Sequence, residues 1–596
     1  MLLEGPNPEQ LNRVLRMYPD HWKYFLRVRF TDEENSQLRW DPDVDGPDTY
    51  RVVCPTVDLP GKGIQNAETI IKALGDFSRD SQYPARMGAR IAQAFSSTDL
   101  SITVEEVIPI PMSSAMGHCL PMVGFKTSLD VIDLFVRCWH DIPEVAKMMW
   151  RSLIKPKEKA VYFTPAAYQV RLGGYKGMLA VDYRLEGSVI CVRKSMDKFD
   201  SPDLDVEVAR AFDRPGPCFL NRPLIMVLET VNEIQTDIFL KLQRDAARLG
   251  ASFKLPGVMT RMQSSGLELQ HCYALGMKTV LKNAETDILR ELKHRARIPV
   301  PESWKLVGIA DEFNYLKQSE IYACTRDRDG EPIYLEGPYL ITRSPVIHPG
   351  DVQVVTAIGR PPRGSPFDIE PLVNTVVLSC QGERSLASCL GGGDLDGDLY
   401  DLINLSVWPE LAPRKLAEPA EYPPAPKKMI VGRPCNADDV KDFICDFITS
   451  DMVGIISSQH LKLADYRPLG VKDEISGTRV LPSDIPRTSR LPRPDWDAGE
   501  LGFRNTRDRV YPSQRALGHL YRDIQLSEDK LQHKGTHPTS RFGTDLDITT
   551  HAKPLARPKY DMISNYLRYA LQRYIHVDAV PQEYFVEAVE LLEEYR

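Results

Sequence analysis

Apolar positions along the chain recur with two different periods. In "VNEIQTDIFLKLQRDAARLG" (231–250), Val231, Ile234, Ile238 and Leu242 fall three and four residues apart. That spacing predicts one amphipathic helix, with Gly250 as its stop. By contrast, "SVICVRKSM", "YLITRSPV", "VQVVTAIG" and "NTVVLSC" are short, β-branched runs bounded by Gly, Pro or Asp, and each predicts a strand. Such runs crowd residues 305–405 and, less densely, 160–200, so each region reads as a small barrel or sandwich. From 431 onward the pattern turns helical. "NADDVKDFICDFITSDMVGIISSQHLKLAD" opens on Asn436 as a cap and carries apolar residues three and four apart. The class predicted is α+β.

Two proline-rich stretches, "ELAPRKLAEPAEYPPAPKK" (410–428) and "LPSDIPRTSRLPRPDW" (481–496), read as linkers or long surface loops. They separate an N-terminal body from a helical C-terminal part. The final "PQEYFVEAVELLEEYR" places Phe585, Val589 and Leu592 on one helix face, which predicts a partner elsewhere in the fold and a shortened C-terminal region.

Composition changes this picture little. Of 596 residues, 42% are hydrophobic and 26% charged, an ordinary balance for a globular chain of two to four domains. No apolar run is long enough to span a bilayer, and "MLLEGPNPEQ" lacks the basic and apolar regions of a signal peptide. Eleven scattered cysteines without a CxxC pair suggest neither a disulfide framework nor a zinc site, and point to the cytoplasm or nucleus. The net charge of −8 argues against a protein that simply coats nucleic acid. Its distribution is uneven, however: from Arg151 to Lys198 there are ten Lys/Arg against four Asp/Glu. An acidic shell around a basic channel suits an enzyme that holds a polyanion where it works on it; a solvated basic surface accounts equally well for the count alone.

The densest chemistry is "GGGDLDGDLYDL" (391–402), in which Asp394, Asp396 and Asp398 alternate. A bare turn favours Asp and Gly but gains nothing from three mutually repelling carboxylates. An EF-hand loop counted from Asp394 requires Gly at position 6 and Glu at position 12, and the chain has Leu399 and Leu405. A Mg²⁺ site for phosphoryl transfer explains the pattern better. Alternating aspartates in an extended loop project hard oxygen ligands to one side, Gly397 keeps the backbone slim, and Gly391 to Gly393 allow a sharp turn between strands.

Here the sequence resembles a known family. "GGDLDGDLY" is similar to the catalytic DxDGD loop of the cellular, RNA-silencing type of RNA-dependent RNA polymerase, itself a relative of the loop in the largest subunit of multisubunit RNA polymerases. The surroundings agree in order. "GPYLITRSPVIHPGDVQVVTAIG" (337–359) carries the family's Arg–x–Pro followed by His–Pro–Gly–Asp, here Arg343, Pro345, His348, Pro349, Gly350 and Asp351. "IPVPESWKLVGIADEFNYLKQSEIY", "QVRLGGYKGMLAVD", "CVRKSMDKFDSP", "FLRVRFTDEE", "YPARMGARIAQAFSST", "FITSDMVGIISSQHLKLAD" and "YPSQRALGHLYRD" extend the likeness over about residues 22–525.

The resemblance implies two facing double-psi β-barrels within an organisation of 1–149 (N-terminal slab-like domain), 150–304 (first barrel with a helical insertion), 305–428 (second barrel) and 429–596 (helical neck and head region, shortened). It assigns Asp394, Asp396 and Asp398 to Mg²⁺ or Mn²⁺, and Lys176 and Lys198 to the catalytic site opposite, facing substrate phosphates. A phosphoryl transition state needs such positive charge. Arg171, Arg193 and Arg343 are weaker candidates for template or nucleotide phosphates. His348 reads as a structural residue of its turn rather than a general base. "RNTRDRV" (504–510) suits a nucleic-acid path or an exposed charged helix equally.

The implied activity is template-directed RNA synthesis from nucleoside triphosphates on single-stranded RNA, supplying double-stranded RNA, and with it silencing-pathway proteins as partners, without a membrane. Two departures bear on it. The family's "MTDG"-like glycine loop has no counterpart in "MVGFKTSLDVIDLFVRCWHDIPEVAKMMW" (122–150), and "DYRPLGVKDEISGTRVLPSDIP" (465–486) lacks a helix that relatives carry. They motivate a rival reading, a catalytically impaired relative that binds RNA or acts as a scaffold. A DNA-templated polymerase is a third, since these motifs contact phosphates rather than the 2′-hydroxyl.

Overall fold

The computed structural model describes residues 11–21, 24–25, 56–104, 106–110, 142–153, 164–184, 189–232, 236–251, 277–326, 331–414, 416–421, 427–450, 453–466, 493–497 and 510–526. Most of 122–150, 467–492 and 504–509, and all of 581–596, lie outside them, so the expectations for the glycine loop, the missing helix, "RNTRDRV" and the final helix face do too.

At the centre six strands close on themselves. Glu320–Arg326 runs parallel to Val352–Ile358, which pairs antiparallel with Glu336–Arg343. That strand pairs with Leu399–Asn404, and Leu399–Asn404 with Ile298–Ala310. Ile298–Ala310 runs parallel to Thr375–Leu378, which returns to Glu320–Arg326 and completes the ring. Closure leaves no free strand edge within the ring. Pro332–Tyr334 and Gly216–Leu220 add to its outside.

The apolar runs are continuous because both faces of these strands are buried. Leu306, Ile321, Ala323, Val376 and Leu378 pack inside the barrel with Tyr339, Ile341 and Tyr400. Their neighbours Val307, Tyr322, Cys324 and Val377 turn outward into a second cluster with Phe367, Phe212 and Ala167. This period of two is that of a pleated strand. The outer cluster also fixes the neighbouring sheet, because Ala167 belongs to it.

That sheet has the order Asp99–Thr103, Asp205–Ala211, Ala167–Leu172, Tyr175–Ala180. Beside it, Glu106–Ile110 pairs in parallel with Val189–Arg193. Val170, Leu172, Val206 and Val208 form its core. The other side of the barrel is covered by the helices Arg222–Asn232, Thr236–Ala251, Met277–Arg295 and Ala516–Asp523, which pack Leu224, Phe239, Leu292 and Leu517 around Ile298, Leu340 and Ile403.

The mixture of sheets and helices is α+β, as the sequence pattern predicts. Local expectations differ in outcome. The four predicted strands form, and Asn436 caps the helix Ala437–Ser450: its Oδ1 accepts from the Asp439 N–H at 3.0 Å, and Asp439 Oδ2 accepts from the Asn436 N–H at 2.8 Å. Of the helix predicted over 231–250, the first two residues close Arg222–Asn232 and 236–250 lie in Thr236–Ala251, with 233–235 outside the described residues; Gly250 sits within Thr236–Ala251 rather than stopping it. A glycine in a fraying last turn costs less than one in the helix interior. Part of the stretch 410–428 lies on the barrel as a strap: Gln353 Nε2 donates to Ala417 O at 3.2 Å, and Arg384 Nη2 to Ala420 O at 3.2 Å. Among the described residues no helix is long and apolar enough to cross a membrane, and the cysteines form no disulfide.

Candidate active site

The loop 391–398 follows a short helix, Leu386–Cys389, and leads into the barrel strand Leu399–Asn404. Its upstream flank is therefore helical rather than a strand, and the loop is not extended: Leu395 has φ +57° and Gly397 φ +123°. The alternation works by a different route. Leu395 is buried among Leu306, Tyr400 and the other interior side chains, and that anchor turns the flanking aspartates out of the barrel. Ligand oxygens of Asp394, Asp396 and Asp398 lie within 4.8 Å of one another. The Asp394 N–H donates to Asp398 Oδ2 at 3.2 Å, and the Gly308 N–H donates to Asp398 O at 3.0 Å.

Lys176 stands on the strand Tyr175–Ala180 of the neighbouring sheet, and its Nζ is 2.8 Å from Asp396 Oδ2. Gln169, on the adjacent strand, donates from Nε2 to Asp396 O at 2.8 Å. Gly397 is required here by its φ of +123°, and a Cβ would lie 2.3 Å from Gln169 Nε2, so the amide would have to swing away from Asp396 O. On the far side of the hairpin, segment 197–203 crosses directly over Gly173 and Gly174. A Cβ on Gly174 would fall 1.6 Å from Phe199 O, so only glycine lets the chain pass. The crossing is locked by the Lys198 N–H donating to Gly174 O at 3.0 Å, which brings Lys198 beside Lys176. Lys198 Nζ donates to Ser195 O.

The electrostatics follow from this crowding. Burial pushes the Asp394 carboxyl up, and the charges of Asp396 and Asp398 push it further. Burial acts the same way on Asp396, but the ion pair with Lys176 outweighs it and holds that carboxyl down. The Lys198 ammonium is lowered by burial and then by Arg90 and Lys176, while Asp396 and Asp394 partly support it. Three carboxylates thus face two lysines across the junction of two sheets. Such an all-oxygen donor set fits a hard divalent cation.

The arginines divide. Arg343 belongs to the aspartate cluster: its Nε is 2.6 Å from Asp398 Oδ2, a charge pair that raises the guanidinium despite burial. Arg171, paired across the hairpin with Lys176, is only 8% exposed and donates from Nη1 to Val170 O. Burial lowers it, with Asp396 and Glu207 pulling back. Arg193 is lowered by burial to about 10 and forms an ion pair with Glu312. His348 Nδ1 accepts from the Gly350 N–H at 2.9 Å, a capping role within its turn. Asp351 stands in the sequence only as the last residue of the His–Pro–Gly–Asp turn, and nothing there singles out Gln169 or Gly308. Gln169 and Gly308 mark where another backbone comes close, and no local pattern signals that.

The family model described as "RNA dependent RNA polymerase" matches residues 1–59 and 53–524. "RNA-dependent RNA polymerase 1" of Arabidopsis thaliana is 27% identical over 586 residues, covering 87% of this chain and 50% of that protein. "Probable RNA-dependent RNA polymerase 1" of Oryza sativa subsp. japonica is 26% identical, with 91% of this chain and 78% of that protein covered. Among solved structures, the RNA dependent RNA polymerase QDE-1 from Thielavia terrestris is similar at 16% identity and a TM-score of 0.48, over 71% of this chain and 53% of that one. The chain spans half the length of the Arabidopsis relative. With the family model matched from the first residue to beyond the aspartate cluster, this chain belongs to the RNA-dependent RNA polymerase family.

Proposed function

We propose that the chain is the core of a template-directed RNA-dependent RNA polymerase, which copies single-stranded RNA from nucleoside triphosphates and so supplies double-stranded RNA for silencing. Its closed six-stranded barrel is read as the second double-psi barrel, and the sheet carrying Lys176 as part of the first. The observation that carries the proposal is the opposition of Asp394, Asp396 and Asp398 to Lys176, with 2.8 Å between Lys176 Nζ and Asp396 Oδ2.

The reaction is attack of a 3′-hydroxyl oxygen on the α-phosphorus of a nucleoside triphosphate: one phosphate ester bond forms, the α–β phosphoanhydride bond breaks, pyrophosphate leaves and the hydroxyl proton passes to water. Held by Asp394, Asp396 and Asp398, Mg²⁺ or Mn²⁺ would activate the hydroxyl and offset charge on the departing pyrophosphate. Lys176 and Lys198 supply the protein's own positive charge to the phosphates from the other sheet. Arg343 orients Asp398 and partly neutralises the cluster. Gln169 and Gly308 fix the loop backbone, so the carboxylates do not have to be reorganised during each addition. Arg171 acts on Asp396 from within the sheet, and Arg193 is committed to Glu312, so neither is placed on the phosphates in this reading.

The test is incorporation of labelled nucleotides on RNA and DNA templates, with and without primer, comparing the wild type with Asp396→Ala. Divalent-dependent incorporation on RNA, lost in a variant with an unchanged circular dichroism spectrum, is expected. Normal synthesis by Asp396→Ala would falsify the metal role. RNA binding by a wild type that incorporates nothing would favour the scaffold, and incorporation confined to DNA templates would favour the DNA-templated alternative.

A further inference from the structure

Gly391 opens the aspartate loop with φ +62°, and it is gripped on both sides of its α-carbon. Its N–H donates to Asp351 Oδ1 at 3.2 Å, and its carbonyl accepts from Arg343 Nη1 at 3.2 Å. Both partners lead onward. Arg343 Nε reaches Asp398 Oδ2 at 2.6 Å. Asp351 is fully buried, and its Oδ2 accepts from the N–H groups of Ile347 and His348 at 3.0 and 2.9 Å. The strap presses on the same turn, since a Cβ on Gly350 would lie 2.0 Å from Glu418 O.

A buried carboxylate is costly to place, and it persists where hydrogen bonds compensate for the lost hydration. If Asp351 served its own turn alone, the amides of Ile347 and His348 would suffice. Its second oxygen instead crosses 40 residues of sequence to the first residue of the aspartate loop. We propose that Asp351 is a positioning residue of the aspartate cluster: through Gly391, and through the Arg343 guanidinium that holds the same glycine, it sets where Asp394 and Asp398 stand for a divalent cation. The use of this device rests on the polymerase reading, but its effect on cation binding does not.

The test is calorimetric titration of the full chain with Mn²⁺ in the absence of nucleotide, comparing the wild type, Asp351→Asn and Asp398→Asn. The amide keeps the shape of Asp351 but loses one acceptor. Mn²⁺ affinity is expected to fall about tenfold or more in Asp351→Asn, the size typical when a group that orients a metal ligand is removed, with the melting temperature measured in parallel. Incorporation by this variant should recover as Mn²⁺ is raised, a rescue that mere loss of folded protein does not give. Wild-type affinity in folded Asp351→Asn overturns the proposal, as does a wild type that binds no Mn²⁺ sensitive to Asp398→Asn. Should Asp351→Asn fail to fold, hydrogen exchange of the wild type decides instead: the Gly391 amide is expected to be protected, and exchange at an unhindered rate overturns the proposal. A wild type that binds Mn²⁺ but incorporates no nucleotide sinks the polymerase reading and leaves this test intact.

Discussion

Lys176 Nζ sits 2.8 Å from Asp396 Oδ2, and the two residues belong to different sheets. This contact joins the lysine hairpin to the aspartate loop, and both side chains remain more than one-third exposed. An exposed pair contributes about 0–1 kcal/mol to stability. In the proposed polymerase its value therefore lies in chemistry rather than folding. Lys176→Ala is expected to lower nucleotide incorporation by about 10²–10³-fold, the usual cost of removing one charge-stabilising group. Its melting temperature should stay within a degree or two of the wild type in differential scanning fluorimetry, since about 1 kcal/mol moves a chain of this size by only a few degrees.

Gly308 faces the inside of the barrel just where the loop anchors. A Cβ there would meet the Tyr400 ring at 2.3 Å and Leu395 Cδ2 at 2.7 Å, and the Gly308 N–H holds Asp398 O. Both neighbours are packed side chains in a closed barrel and have little room to retreat. Gly308→Ala should cost about 1–3 kcal/mol in chemical denaturation, the range for overpacking a core. It should also weaken Mn²⁺ binding, because Leu395 cannot move without carrying Asp394 and Asp396 with it.

Much of this arrangement is legible in the sequence. The β-branched runs announced the barrel strands because period and composition are local properties, and Asp394, Asp396 and Asp398 stood out because their mutual repulsion demands a reason. What stayed hidden depends on distant chain segments meeting. Gly308 and Gly174 are single glycines whose need appears only when Tyr400 and Phe199 arrive beside them. Asp351 reads as a turn residue until Gly391 is seen against it. The sequence predicts an extended loop, since nothing in it says that Leu395 will seek the core at φ +57°. Arg193 is open to a phosphate in the sequence, whereas in the fold Glu312, distant along the chain, pairs with it.

Asp394 is the aspartate whose charge the fold tolerates least. Burial and the charges of Asp396 and Asp398 raise its carboxyl above the ordinary range. A raised carboxyl means that the folded state binds protons more tightly than the unfolded chain, so this group subtracts stability as pH rises past its unfolded value. Asp394→Asn should therefore melt higher than the wild type at pH 7–8 in EDTA. Added Mn²⁺ should reverse the order, because the wild type gains stability from a bound cation and the variant loses that ligand. Fluorimetry with and without Mn²⁺ checks both halves; a variant that is less stable in EDTA would contradict the repulsion argument.

Glu370 offers a pH test away from the aspartate cluster. Burial raises its carboxyl from 4.5 to about 7, Asp182 adds to the shift, and Arg326 and a hydrogen bond from the Leu372 amide pull against it. Between these values the folded state holds a proton that the unfolded chain has lost. Stability contributed by neutral Glu370 is accordingly full below the unfolded value and declines as pH climbs toward 7, after which the charged group remains at a disadvantage. Glu370→Gln keeps the shape and removes the titration. The difference in unfolding free energy, variant minus wild type, should rise between pH 5 and pH 7.5 and then level off, read from urea denaturation at each pH. A difference that stays flat over that interval would mean that Glu370 keeps an ordinary carboxyl in the folded protein.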